Sequence, residues 1–324
     1  MKGKYTVIVE DKRIRFFFEI KRNITVIRGD SATGKTTLIE MLESYEREGK
    51  TGGVSVICEK PCVVLDGPRW EENLQMIRQS IVFIDEGNGF MRSESFAAAA
   101  QASDNYFVLF TRESLPMLPY SVEEIYGIRM SGKYAGLKKI YNEFYHLYHL
   151  PEGSAKPMRV FVEDSNAGYD FFDDLAKHLH MICESAHGKS NMIRCLHGLK
   201  EPCLVIADGA AFGSEMDALM QRIENGANVS AYLPESFEWL ILSSGLIDGK
   251  RISGILEKPE DYIESEKHFS WERYFTDLLI QETQGTFLQY SKSRLNPVYL
   301  QGKQRAAILD QMGKVTAILP RNEF

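Results

Sequence analysis

The chain has 324 residues, and at about 150 residues per domain that length predicts two units. A hydrophobic fraction of 44% with 26% charged residues excludes a wholly disordered, collagen-like or coiled-coil chain. Lysine and arginine number 38 against 45 acidic residues, so the surface as a whole is not built for a polyanion, and only a local basic strip is left for nucleic acid.

No apolar run approaches the roughly 18 residues needed to cross a bilayer. The first apolar stretch, Tyr5 to Val9, meets Glu10-Asp11-Lys12-Arg13, so a cytoplasmic protein without a membrane partner is expected. Cys58, Cys62, Cys183, Cys195 and Cys203 form no CxxC pair, which suits reduced, packed thiols.

The first thirty or so residues alternate as strands do. Tyr5 to Val9, Ile14 to Ile20 and Ile24 to Ile27 are predicted strands separated by polar turns. After Gly34 the spacing of Leu38, Met41, Leu42 and Tyr45 becomes helical, with Gly49 placed to end the helix. Short apolar runs follow at Val54 to Cys58, Cys62 to Leu65, Ile81 to Ile84 and Tyr106 to Phe110, with helices predicted from Trp70 to Arg78 and from Glu94 to Ala102. Strands alternating with helices predict a wound α/β sheet.

The stretch from Lys133 to Leu150 is rich in Tyr, Lys and His, and the residues from Pro151 to Pro157 then break every periodicity. The boundary is placed there, giving domains at 1–150 and 158–324. In the second, Arg159 to Val162 and Cys203 to Ala207 read as strands, Tyr169 to Cys183 and Phe269 to Leu288 as helices, and the chain ends in a moderately basic tail.

Gly29-Asp30-Ser31-Ala32-Thr33-Gly34-Lys35-Thr36 matches G-x-x-x-x-G-K-[ST] between a strand and a helix, the pattern of a Walker A loop. Two glycines let the amide N–H groups of such a loop turn inward, and the helix N-terminus adds positive potential where a β-phosphate sits. Lys35 would reach the β- and γ-phosphates of ATP, Thr36 would hold Mg²⁺, and Thr37 continues the cradle. Ile81 to Ile84 followed by Asp85-Glu86 has the form of a Walker B motif. Asp85 would orient Mg²⁺ through its water shell, and Glu86 would polarise the attacking water as general base, which makes the domain a hydrolase. The next predicted strand ends in Thr111-Arg112, where Thr111 is a candidate sensor of the γ-phosphate and a finger toward a neighbouring subunit is one role open to Arg112. No guanine-reading N/T-K-x-D motif is evident, which favours ATP.

These features, the antiparallel strands, the loop 29–36 and the Asp85-Glu86 pair, resemble the ATPase domain of the ABC-type and overcoming-lysogenization-defect-like P-loop families over roughly residues 1–130. Zot-like and other additional-strand ATPases also place Asp-Glu at the end of the second core strand, and that alternative stays open. Downstream, the apolar run to Val162 ends in Glu163-Asp164, that to Ala207 ends in Asp208, and Glu215 lies in the following segment. This arrangement resembles a Toprim domain, which implies that Glu163 and Asp208 bind a second Mg²⁺ for phosphodiester chemistry. Ala210 stands where that family has a second acid, so a non-cleaving form and an active form both stay open; the acids also suit helix caps. The segment from Glu235 to Leu242 resembles a helix near the end of related modules.

Cys183 and His187, with His178 and His180 nearby, would share a helix face, but without a second cysteine pair packing accounts for them better than zinc. Arg129, Lys133, Lys138 and Lys139 with Tyr134, Tyr141, Tyr145 and Tyr148 read as a solvated helix with an aromatic inner face, or as a nucleic-acid surface.

The expected fold is therefore α/β: a P-loop NTPase wound sheet with an antiparallel N-terminal extension, then a Toprim-like α/β domain with a helical C-terminal part. The expected function is an ATP-binding, Mg²⁺-dependent ATPase that drives or gates the second module, acting on nucleic acid in a mobile-element or phage-defence setting. The alternative is a nucleotide-controlled switch that binds a protein partner or a second copy of itself through a catalytically inactive second domain.

Overall fold

A computed structural model describes residues 1–29, 34–134, 136–151 and 156–313. Asp30, Ser31, Ala32 and Thr33 of the loop, Glu152 to Ala155 of the predicted linker and the end of the basic tail lie outside the described residues. The chain divides into two units, Met1–Leu147 with Pro259–Ser270, and Tyr148–Lys258 with Trp271–Phe324.

The first unit is built on a nine-stranded sheet. Strands β1 (Tyr5–Glu10) and β2 (Ile14–Ile20) form an antiparallel hairpin, followed by β3 (Ile24–Ile27). The hairpin turn is closed by Asp11, whose Oδ1 accepts the N–H groups of Arg13 and Ile14 at 2.6 and 2.7 Å. Alternation points Val7 and Val9 of one strand and Phe16, Phe18 and Ile20 of the other into the core. Helix α1 (Lys35–Glu48) ends at Gly49, whose positive φ of 60° glycine adopts without strain.

Then come β4 (Ser55–Ile57), β5 (Cys62–Val64), α2 (Trp70–Met76), β6 (Ile81–Ile84), α3 (Glu94–Gln101), β7 (Tyr106–Phe110), β8 (Ile125–Met130) and β9 (Ile140–His146). The sheet order is β4-β1-β2-β9-β8-β3-β7-β6-β5. Strands β5, β6, β7, β3 and β8 run parallel, and every residue of β3, β6 and β7 is buried, as expected where helices cover both faces.

The tract expected as a solvated helix is instead the antiparallel pair β8 and β9. Tyr141, Phe144, Tyr145 and Tyr148 do recur at helical spacing, but pairing with β2 and β8 overrides that local signal, and Phe144 stacks on Phe18 with ring centroids 4.1 Å apart. Two of the four basic charges there meet carboxylates: Lys139 meets Glu10 at 2.7 Å, and Arg129 meets Glu143 at 3.1 Å.

The segment 259–270, assigned from the sequence to the second domain, packs with the first unit through backbone bonds. Gly3 N–H donates to Glu260 O at 2.6 Å and Ser265 N–H to Met1 O at 2.8 Å. Glu124, fully buried just before β8, meets Arg22 at 3.3 Å and Lys21 at 3.7 Å, and accepts the Thr25 hydroxyl at 3.4 Å. Removing that carboxylate strands a buried guanidinium, so Glu124→Ala should cost about 3 kcal/mol, seen as a lower urea midpoint.

The second unit holds a four-stranded parallel sheet of β10 (Arg159–Val162), β11 (Ile182–Ser185), β12 (Cys203–Ile206) and β13 (Val229–Tyr232), in the order β11-β10-β12-β13. Its helices are α4 (Ala167–His178), α5 (Lys189–Cys195), α6 (Met216–Glu224), α7 (Phe237–Ser243), α8 (Lys250–Glu257), α9 (Trp271–Thr283) and α10 (Gly302–Gln311). The helix expected to run to Cys183 stops at His178, because His180 turns the chain with a φ of 54° and Cys183 pairs with Val160 in the sheet. Cys183 and His187 therefore share no helix face. The helix expected to Leu288 ends at Thr283, whose hydroxyl donates to Leu279 O at 2.7 Å and accepts Tyr290 N–H at 2.9 Å. Among the described residues no helix is long and apolar enough to cross a membrane.

Candidate functional site

Strand β3 delivers the chain to Gly29, and α1 takes it up again after Gly34. Their φ values, 131° and 95°, lie where side chains other than glycine are strained. A Cβ at Gly34 would also approach the Phe16 ring at 3.4 Å. The first turn of α1 carries no acidic residue, so its positive end is not neutralised from within the helix. Lys35 is buried, and its ammonium folds back to donate to the Gly29 carbonyl, tying together the two ends of the loop.

Strand β7 lies between β3 and β6, with Ile27 beside Phe110 and Ile84 beside Leu109. Residues just beyond the ends of these three strands thus meet at one edge, the carboxyl end of a parallel sheet where ligands bind. Gly34, Lys35, Thr36 and Thr37 from the start of α1, Asp85 and Glu86 after β6, and Arg112 after β7 line one hollow of about 610 Å³. The Glu86 carboxylate sits between two cations. Lys35 Nζ is 3.5 Å from its Oε2, and Arg112 holds both oxygens, Nε to Oε2 at 3.2 Å and Nη2 to Oε1 at 3.1 Å.

Thr111 is not part of this wall. Its backbone N–H continues the ladder to Ile27 O at 3.1 Å, and its buried hydroxyl is occupied by Glu113, with the Glu113 carbonyl and N–H each at 3.0 Å. It lines a neighbouring hollow instead, so the residue brought to the candidate site from this strand end is Arg112, within the same chain.

The opposite side of the hollow is formed by Ile14 of β2, Ile128, Arg129 and Met130 of β8, and Ile140 and Asn142 of β9; of these the sequence singles out Arg129, as part of the basic tract, and none of them for this site. Ile14 and Ile140 are register partners, and Met130 is 66% exposed. Reading β9 as a helix hid Ile140 and Asn142, and no local periodicity from Ile140 to His146 would have found them, because that segment is a strand through its pairing with β2 and β8.

In the second unit the order β11-β10-β12-β13 puts the switch of winding direction between β10 and β12, and Glu163 and Asp208 follow those strands. They are brought together: the Asp208 N–H donates to Glu163 Oε2 at 3.1 Å, while Phe237 N–H donates to Asp208 Oδ1 at 3.2 Å. The hollow they share with Asp164 is only about 20 Å³, room for one water and not for a hydrated divalent ion.

Two lysines act on the surrounding acids. Lys292 meets Glu272 at 2.5 Å and Glu238 at 3.9 Å, and its ammonium is held well above the ordinary range by Glu238, Glu272 and Asp208, against the effect of burial. Lys189 donates to Ala211 O at 3.0 Å and also attracts Glu163 and Glu215. Among the described residues no three Asp, Glu, His or Cys side chains gather as a metal would need, so the residues present do not fit a second magnesium at Glu163 and Asp208.

Burial pushes the Glu163 carboxyl from its ordinary 4.5 up to about 7, with Glu272 and Asp164 adding to the rise and the Asp208 N–H and Lys189 opposing it. Burial also raises Asp208, reinforced by Glu272, Glu238 and Glu163. A carboxyl raised in the folded chain contributes most below its unfolded value, and that contribution is lost as pH climbs from about 4.5 toward 7. Glu163→Gln should therefore be about 2 kcal/mol more stable than the wild type at pH 8, with the advantage vanishing near pH 4, as read from urea midpoints.

Comparison with protein-family models, curated proteins and solved structures finds no significant match for this chain.

Proposed function

We propose that the first unit binds ATP with Mg²⁺ and hydrolyses it. The observation that carries this reading is the convergence of Lys35, Thr36, Asp85 and Glu86 on one hollow at the start of α1. A triphosphate would lie against the amide end of α1, where the helix dipole and the Lys35 ammonium favour it, in place of the Gly29 carbonyl and Glu86 that Lys35 now contacts. The apolar side made by Ile14, Met130 and Ile140 offers a base a surface that inorganic phosphate would not use.

Thr36 and Asp85 bring a hydroxyl and a carboxylate to the same hollow, an oxygen donor set that fits magnesium. When bound, that ion would supply neutralisation of charge on the phosphate oxygens. Glu86 accepts a proton from the water that attacks the γ-phosphorus. The bond from that phosphorus to the bridging oxygen breaks, and ADP and phosphate leave. Phosphate release from ATP by the purified chain, abolished when Mg²⁺ is chelated, tests the reading; release at background level in saturating MgATP would refute it.

For the second unit, the small hollow beside Glu163 and Asp208, with no metal-holding group of side chains among the described residues, supports a module that does not cleave phosphodiesters. This favours the nucleotide-controlled switch over the nuclease.

A further inference from the structure

We propose that the carboxamide of Asn142 selects the base at this site, taking adenine and rejecting guanine through the 6-amino group and N7 of the ring. The inference rests on the nucleotide-binding reading above and adds to it the residue that decides which triphosphate enters.

Asn142 stands inside β9, with Phe16 of β2 and Met130 of β8 as its register partners. Ile140, two residues earlier on the same face, pairs with Ile14. The Asn142 side chain therefore interrupts the apolar wall that would face the base, and it lines the hollow beside Ile14, Met130 and Ile140. It is only 9% exposed, yet among the described residues its carboxamide has no hydrogen-bond partner. A Cβ at Gly34 would lie 3.6 Å from its Nδ2, so the amide stands next to the start of α1.

A buried amide that braces nothing costs stability, because it gives up water without gaining a partner. An apolar side chain would suit a place beside Phe16 and Met130 better. The outlet for the amide's donor and acceptor is the hollow itself, and an apolar wall broken by one polar group is the form of a site that orients a flat ring.

A carboxamide presents one donating and one accepting end. Adenine satisfies both, its N7 accepting from Nδ2 and its 6-amino group donating to Oδ1. Guanine has a carbonyl in place of that amine, so either orientation of the carboxamide sets Oδ1 against another acceptor. On the N1 edge a carboxamide turned over would serve guanine as well as adenine, so the N7 edge is the one through which Asn142 can discriminate.

The experiment measures the affinity of the full chain in Mg²⁺ for ATP, GTP and 7-deaza-ATP, which lacks the N7 acceptor, in the wild type, Asn142→Leu, Asn142→Asp and Lys35→Ala. The wild type should prefer ATP to each of the others by about tenfold or more. Asn142→Leu should weaken ATP about tenfold and bring the three ligands within about threefold of one another, with a urea midpoint no lower than that of the wild type. Asn142→Asp keeps an acceptor for the amine but sets an oxygen against N7, so it should bind 7-deaza-ATP more tightly than ATP. That ratio, read on one preparation, does not depend on how much of the variant folds.

A wild type that binds the three alike would overturn base selection, as would an Asn142→Leu or Asn142→Asp chain that keeps the wild-type preference. Equal losses of ATP and GTP on Asn142→Leu would overturn it too, by assigning the amide to the ribose or the phosphates. Lys35→Ala separates the two levels. If it binds ATP as the wild type does, the nucleotide reading itself falls. If it loses all three ligands while Asn142→Leu keeps the preference for ATP, only the role of Asn142 falls.

Discussion

Glu86→Gln should retain MgATP and hydrolyse it about 10³-fold more slowly than the wild type, accumulating the triphosphate-bound form. Glutamine keeps the shape and the hydrogen-bonding reach of the side chain but accepts a proton far more weakly. The side chain is 36% exposed and makes its contacts with Lys35 and Arg112 at the rim of the hollow, so the substitution leaves the sheet beneath intact. Binding should survive because the phosphate-facing groups, Lys35 and the start of α1, are untouched. Single-turnover measurement separates the two effects: bound ATP decays slowly in the variant, whereas the release of added ADP is unchanged. Hydrolysis at the wild-type rate would remove Glu86 from the chemistry.

Lys35→Ala should lose ATP affinity by about 100-fold or more, and with it measurable turnover. The ammonium is the one cation built into the start of α1. It would make charge-assisted hydrogen bonds to oxygens of two phosphoryl groups, and each such bond is worth about 1.5–3 kcal/mol. The fold should persist, because Lys35 contacts a loop carbonyl and a rim carboxylate and is not part of the apolar core formed by Leu38, Ile39, Met41 and Leu42 on the inner face of the helix. Equilibrium binding of a fluorescent ATP analogue measures the loss; an unchanged denaturant midpoint shows that the effect is local.

Much of the first unit is legible in the sequence because its signals are local. Ile14 to Ile20 alternates, Ile24 to Ile27 and Ile81 to Ile84 are uniformly apolar strands buried on both faces, and Gly49 ends α1 where it stands. The candidate site is legible for the same reason: a loop between a strand and a helix, and acids directly after an apolar run, are short-range patterns.

What was not legible depends on pairing between distant segments. Residues from Ile140 to His146 form a strand because they bridge β2 and β8, and nothing adjacent in the chain announces those partners. The helix α4 ends early because Ile182 to Ser185 is claimed by β10. The return of 259–270 to the first unit rests on bonds to Met1 and Gly3. At the candidate site, spacing places Thr111 and Arg112 together at a strand end but does not say that the threonine hydroxyl closes a turn on Glu113 while the arginine reaches Glu86. In the second unit the acids are visible as strand-end residues, whereas Lys292, which pairs with Glu238 and Glu272, comes from a segment far along the chain.

A crystal structure of Glu86→Gln grown with MgATP would show whether the hollow at the start of α1 holds the nucleotide. The γ-phosphate should lie within hydrogen-bonding distance of Lys35 Nζ, the magnesium on the Thr36 hydroxyl with Asp85 beside it, and the base against Ile14 and Ile140. A nucleotide bound elsewhere on the chain, or a phosphate chain lying away from Lys35 with Asp85 turned from the metal, would contradict it.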